Sequence, residues 1–189
     1  MKKGLLIILS GPSGVGKGTI RKKVMENTDL NLAYSISMTT RLPRKGEING
    51  VDYFFVTKDE FENNVSKGKL LEYAKFCENY YGTPLDYVES LRNDGKNVIL
   101  EIETRGARQV MAKCISKDEI SVFLVPPSIE ELERRIRGRN TESEDIIQER
   151  LAKARHEMIH KDLYDYIVVN NTPEEACNEI IKIIKDHLN

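Results

Sequence analysis

No segment of this chain constrains its fold as tightly as Gly11-Pro12-Ser13-Gly14-Val15-Gly16-Lys17-Gly18-Thr19. The apolar run Leu5–Leu9 leads into it, and a helical pattern over Lys17–Glu26 leads out. Glycines lack the Cβ that would keep backbone N–H groups from curling around an anion. A helix opening on such a loop adds the positive end of its dipole. Lys17 supplies an ammonium on a stem long enough to reach the β- and γ-phosphates of a nucleotide. A plain turn between strand and helix has no use for four glycines and a lysine in so short a stretch. The segment therefore implies a buried strand, a phosphate-binding loop and a helix, in that order, which is how many α/β folds begin. One position departs from the usual pattern. Gly18 stands where a Ser or Thr hydroxyl commonly binds magnesium, with Thr19 next, so magnesium is expected to be held more through water and phosphate oxygens.

The rest of the chain keeps the α/β alternation. Strands are expected at Leu5–Leu9, Ala33–Met38, Asn97–Ile102, Ile120–Val125 and Tyr166–Val169. Most are continuous apolar runs, which suits a parallel sheet covered on both faces. Helices are expected at Lys17–Glu26, Thr104–Lys113, Ile129–Arg137, Glu144–Leu163 and Glu174–Leu188, with Ser128 and Thr172 as N-caps. Between about Thr39 and Asn93 the apolar runs shorten, and aromatic and turn residues accumulate. Tyr53–Val56 and Leu70–Phe76 read as strands there, with a capping box at Thr57-Lys58-Asp59-Glu60 opening a helix to about Lys67. This reads as a small mixed insertion seated on the α/β core.

Composition narrows the partners and the compartment. Lys plus Arg number 29 against 30 Asp plus Glu, so no global basic field points to nucleic acid or to a membrane surface. An anion site must be built locally. Cys77, Cys114 and Cys177 lie far apart, with no CxxC pair, which fits the reducing cytoplasm rather than a disulfide framework or a cysteine zinc site. Lys2-Lys3 before the first apolar run resembles the opening of a signal peptide. The run is too short for that role, however, and Lys17 follows soon after.

Further motifs carry a family resemblance. Ser37-Met38-Thr39-Thr40-Arg41-Leu42-Pro43-Arg44-Lys45-Gly46-Glu47, then Asn49-Gly50-Val51-Asp52-Tyr53, resembles the nucleotide-monophosphate site of guanylate kinases. The likeness continues through Leu71-Glu72-Tyr73, Tyr80-Tyr81-Gly82-Thr83, Leu100-Glu101-Ile102-Glu103, Arg135, Arg139, Arg150 and Tyr164–Asn170, nearly the whole chain. The resemblance implies an α/β P-loop NTPase three-layer fold with a parallel central sheet, a small mixed α+β GMP-binding insertion and a helical lid. The core would span 1–38 and 94–189, with the lid at about 138–150 and the insertion at 39–93. It implies transfer of the γ-phosphoryl of ATP to GMP, and to dGMP, with Mg²⁺.

The resemblance also implies roles. Gly11, Pro12, Ser13, Gly14, Val15, Gly16, Lys17, Gly18, Thr19 and Asn170 would hold ATP. Ser37, Glu72 and Thr83 would read guanine, and Glu72 can accept from the adjacent N1–H and N2 amino donors. Arg41 and Arg44 offer planar forks, and Tyr53 and Tyr81 hydroxyls, for the acceptor phosphate. Glu101 ends an apolar run, where a carboxylate can organise magnesium and its waters. Glu103 matches a position near guanine usually held by Asp, and Asn171 replaces a common Asp. Lys17, Arg135, Arg139 and Arg150 would stabilise the transferring phosphoryl group, whereas Arg134 and Arg137 suit a helix end.

His156-Glu157-Met158-Ile159-His160 reads as HExxH, the zinc metalloprotease pattern. Ile147, Leu151, Ala154 and Met158 form an apolar stripe, which would put both histidines on the opposite, solvent-facing side. No third ligand stands out, so exposed helical histidines are expected. Two other functions share the motifs: a P-loop kinase for another nucleoside monophosphate, and a non-catalytic guanylate-kinase-like module that binds proteins. The intact loop with Lys17, together with the lid arginines, favours an enzyme.

Overall fold

The computed structural model describes residues 2–76, 78–113, 118–138 and 143–188. Its main sheet contains β1 (Leu6–Ser10), β2 (Leu32–Tyr34), β7 (Asn97–Glu101), β8 (Glu119–Val125) and β9 (Tyr166–Val169), numbered along the chain. The order is β2-β7-β1-β8-β9, and every pairing is parallel. The continuous apolar runs follow from this arrangement, because strand side chains alternate between two covered faces. Leu5, Ile7 and Leu9 join one buried cluster with Ile20 and Val24 of α1 (Lys17–Met25) and Ile180 and Ile184 of α7 (Pro173–Leu188). Leu6 and Ile8 join the other, with Val88 of α3 (Leu85–Asn93) and Ala107 and Val110 of α4 (Thr104–Lys113). Helix, sheet and helix thus make three layers.

A second sheet contains β3 (Met38–Thr39), β4 (Phe54–Phe55), β5 (Leu70–Phe76) and β6 (Asn79–Pro84), in the order β4-β3-β6-β5. The β3–β4 pair is parallel and the other pairs antiparallel. Helix α2 (Lys58–Ser66) opens on the expected capping box of Thr57 and Glu60. Its Phe61 is buried and stacks on Tyr80 with ring centroids 5.5 Å apart. Helices α5 (Ile129–Arg137) and α6 (Glu144–Met158) pack on each other through Leu132, Ile136, Ile147, Leu151 and Ala154.

Several elements differ from the sequence reading, among them β6, which it did not give as a strand. The run Ala33–Met38 is not one strand. The Ser35 N–H still bonds Ile99 in the main sheet, at 3.0 Å, while the Ser37 carbonyl already accepts from Phe54 in the second, at 2.8 Å. The chain therefore changes sheets within two residues. Helix α6 stops at Met158, and Lys161–Leu163 forms a separate 3-10 turn. Helix α3 has no counterpart in the sequence reading. Its buried face includes Arg92, which donates to the carbonyls of Gly4 at 2.9 Å and Asp118 at 3.1 Å. A charged residue in the core register hides the apolar periodicity.

Candidate active site

The loop between β1 and α1 has the geometry its glycines imply. Gly14 and Gly16 have φ of 87° and 100°, in the left-handed region that favours glycine. Val15, fully buried, anchors the loop from beneath. Lys17 turns its ammonium back on the loop, donating to the carbonyls of Gly11 at 2.6 Å and Pro12 at 3.2 Å. Burial pushes its pKa down, against the pull of the Glu157, Glu101 and Glu103 carboxylates. Helix α6 reaches the same loop twice. Glu157 accepts from the Ser13 N–H at 3.2 Å, and Arg150 donates to the Ser13 hydroxyl at 3.0 Å. A cavity of about 200 Å³ opens here, lined by Ser13, Gly14, Lys17, Gly18, Glu101, Glu103, Arg150 and Glu157.

A larger pocket of about 800 Å³ lies between the two sheets, with Tyr34, Ser37, Tyr53, Glu72, Tyr81 and Gly106 among its lining residues. Glu101 and Glu103 line both cavities, which therefore meet at the carboxyl end of β7. Ligands of open parallel sheets bind at such strand ends. Glu101 is held by Arg21, whose Nε donates at 2.7 Å and whose guanidinium lies 4.1 Å from the centroid of the Tyr34 ring. Burial pushes the Tyr34 hydroxyl up to about 12, so it stays protonated and able to donate. Glu103 pairs with Lys153 at 3.0 Å. Glu72 is 7% exposed and accepts from the Thr83 hydroxyl at 2.6 Å. Desolvation raises its pKa, opposed by the Thr83 hydrogen bond.

A family model described as guanylate kinase matches residues 3–187. The chain belongs to the guanylate kinase family. Among the relatives is a guanylate kinase of Bacillus cereus, 53% identical over 183 residues, 97% of this chain and 88% of that one. The guanylate kinase of Bacillus subtilis (strain 168) is 51% identical over 188 residues, 99% of this chain and 91% of the relative. The crystal structure of guanylate kinase from Anaplasma phagocytophilum superposes with a TM-score of 0.75 at 34% identity, covering 98% of this chain and 87% of that one.

Several residues to which the guanylate kinase resemblance gives ligand roles are engaged with the protein itself. Thr83 is 1% exposed, donates to Glu72 and does not line the pocket. Asn170 is 4% exposed and donates to the Val15 carbonyl at 2.7 Å, bracing the loop from below. Arg135 is engaged by Glu131 at 2.7 Å and by the carbonyl of Asn170 at 3.0 Å, and lines neither cavity. Thr19 is exposed and also lies outside both linings. Arg41 is forked onto both Glu47 oxygens at 2.9 Å, against Tyr53 and Phe55. Arg44 is exposed and gives Glu47 only its backbone N–H, at 2.7 Å. Tyr53 and Tyr81 meet edge to face with ring centroids 6.2 Å apart. Arg139 lies outside the described residues.

The HExxH reading needs amending. His156 is exposed as expected, but His160 is half-buried and beyond the end of α6, and both line the larger pocket. The Glu157 carboxylate turns to the Ser13 N–H of the phosphate loop instead of joining them. No group of three or more His, Cys, Asp or Glu among the described residues could hold a metal ion. Arg134 and Arg137 pair with Glu131 and with Glu133 and Glu144, as helix-end residues do. Sequence reasoning missed Glu157, Arg21 and Lys153 as parts of the site. For Glu157 a signal existed: it stands three residues after buried Ala154, an acid in the apolar register.

Proposed function

We propose that this guanylate kinase family member transfers the γ-phosphoryl of ATP to GMP, and to dGMP, with the acceptor in the 800 Å³ pocket and the triphosphate on the Gly11–Thr19 loop. One observation carries the reading. A buried carboxylate, Glu72, faces a pocket that joins the phosphate-loop cavity at Glu101 and Glu103. Guanine offers N1–H and the N2 amino group as adjacent donors to such a carboxylate. Adenine offers a lone pair at N1 and nothing at C2, leaving the buried charge unpaired. Ser37 and Thr83 set the angle of the base, Ser37 directly and Thr83 through Glu72. Tyr53, Tyr81, Arg41 and Arg44 are assigned to the acceptor phosphate.

An oxygen of that phosphate attacks the γ-phosphorus, the bond to the β–γ bridging oxygen breaks, and ADP leaves. Such a reaction depends on alignment and on charge stabilisation more than on covalent help from the protein. Lys17 leaves the Gly11 and Pro12 carbonyls for the phosphate oxygens, and Arg150 lies beside it on Ser13. Arg135 and Arg139 are assigned to the same charge on closure, and Asn170 to the shape of the loop. Magnesium fits as a companion of the triphosphate: Gly18 lacks a hydroxyl, and Glu101 stands opposite it to hold the ion's waters. Bound there, it would neutralise charge on the phosphate oxygens. Among the described residues no helix is long and apolar enough to cross a membrane. The cytoplasm is the proposed compartment, in keeping with the wide spacing of the cysteines.

The test is ADP release with GMP, dGMP, AMP, CMP and UMP as acceptors, for the wild type and Glu72→Ala. Sites built on a substrate's donors reject analogues lacking them by roughly 10⁴–10⁵. The wild type should use GMP and dGMP, and Glu72→Ala should lose GMP efficiency and narrow the GMP/AMP ratio. A wild type that prefers AMP overturns the reading.

A further inference from the structure

Gly106 lies in the first turn of α4, where the backbone is ordinary right-handed helix. Alanine is the more stable residue in such a position, so the backbone gives no reason for glycine. The surroundings do. A Cβ at Gly106 would meet Glu72 Oε2 at 2.6 Å, Cδ at 3.1 Å and Cγ at 3.3 Å, its three nearest neighbours. The space a methyl group would need is thus filled by the side chain that faces the acceptor base. We propose that Gly106 is a positioning residue for acceptor recognition, seating the Glu72 carboxylate by leaving that space free; the inference rests on the reading of the pocket as the GMP site.

Other contacts hold the seat away from the pocket side. The second carboxylate oxygen, Oε1, is held by the Thr83 hydroxyl at 2.6 Å. The backbone of β5 cannot retreat, because α4 is fastened to it on both sides of Glu72. Lys113 donates to the carbonyls of Leu70 and Leu71 at 3.0 and 2.8 Å. Gln109 accepts from the Tyr73 N–H at 3.2 Å and donates to the Tyr73 carbonyl at 2.8 Å. A methyl group at residue 106 must therefore move the carboxylate and not the strand. Oε2 would have to withdraw from 2.6 Å to ordinary contact beyond 3.4 Å, toward the pocket, and as the carboxylate moves the Thr83 bond to Oε1 would stretch or break. The Glu72 side chain is flexible, so the fold tolerates the change while the recognition geometry does not.

The experiment compares wild type, Gly106→Ala, Glu72→Asp and the double variant, measuring kcat/KM for GMP and for AMP, KM for ATP and the thermal midpoint. Gly106→Ala should lower kcat/KM for GMP by about 100-fold, the effect of misplacing a binding group by about an ångström. The GMP/AMP ratio should fall with it, while KM for ATP and the thermal midpoint stay near wild type. Aspartate is one methylene shorter and leaves the methyl its space. The double variant should therefore regain about tenfold over Gly106→Ala alone, as residues in contact couple. A Gly106→Ala enzyme with the wild-type GMP/AMP ratio overturns the proposal. So does a loss that Glu72→Asp leaves unrelieved, since Gly106 would then serve packing alone. A wild type inactive on GMP would instead sink the assignment of the pocket, a result read before any variant is compared.

Discussion

The side-chain amide of Asn170 donates to the Val15 carbonyl at 2.7 Å, and a Cβ on neighbouring Gly16 would stand only 2.9 Å from that amide nitrogen. The end of β9 thus supports the phosphate loop from a strand far away in sequence. Asn170→Ala removes the donor and should loosen the loop, raising KM for ATP more than KM for GMP. Asn170→Asp should be the worse variant, because an ionised carboxylate cannot donate and faces a carbonyl oxygen. Steady-state kinetics with each substrate varied in turn distinguishes the two losses. An aspartate variant as active as wild type would show that the contact does not matter.

Lys17→Met should reduce turnover by orders of magnitude, about 10³-fold or more on the scale of lost transition-state charge stabilisation. Burial already disfavours its charge in the folded chain, so losing the ammonium should change thermal unfolding little. Turnover and melting curves on the same preparation check both halves. Wild-type turnover in this variant would remove Lys17 from the chemistry.

The Arg41–Glu47 pair sets a pH signature. The Arg41 fork, and then the Arg44 N–H, hold the Glu47 carboxyl down to about 2. A carboxylate whose folded pKa is depressed stabilises the fold above its ordinary range and loses that contribution as pH falls through the folded value. The thermal midpoint of the wild type should exceed that of Glu47→Gln at neutral pH. The difference should shrink as pH drops from about 4.5 toward about 2. Curves that stay parallel across that window would contradict the pairing.

Changing His156 and His160 together to Gln should leave GMP kinetics close to wild type: both line the larger pocket and contact each other, 5.5 Å between centroids, but neither is assigned a contact with the acceptor. Metal analysis of protein purified without a histidine tag should find no stoichiometric zinc. Zinc that disappears in the double variant would restore the metalloprotease reading.

Much of this was legible because packing repeats itself in sequence. Leu5–Leu9 and Ile120–Val125 read as covered strands since both faces of the sheet are buried. The loop and the Thr57 capping box were readable because local backbone needs dictate their residues. What stayed hidden depended on distant partners. Ser35 and Ser37 belong to different sheets, a division set by Ile99 and Phe54 and not by anything local. Arg92 and Glu157 interrupt apolar registers, and their partners on Gly4, Asp118 and Ser13 come from remote segments. Thr83 and Asn170 carried recognisable motif positions, but their burial and their bonds to Glu72 and Val15 could not be read from sequence.

The wall of the smaller cavity carries two cationic side chains, Lys17 and Arg150, and three carboxylates, Glu101, Glu103 and Glu157. Arg21 and Lys153 offset Glu101 and Glu103 from outside that wall, so its charges nearly cancel before nucleotide arrives. With so little net charge on the wall, oriented N–H groups and a cation that travels with the triphosphate would add much of the attraction on the proposed reading. On the proposed reading, the donor side would work as a counter-ion filter, holding a bare triphosphate weakly and admitting the same molecule with its divalent partner. Chelating the divalent ion should accordingly weaken donor binding far more than acceptor binding, so the dependence on added cation belongs to one cavity and not to the enzyme as a whole.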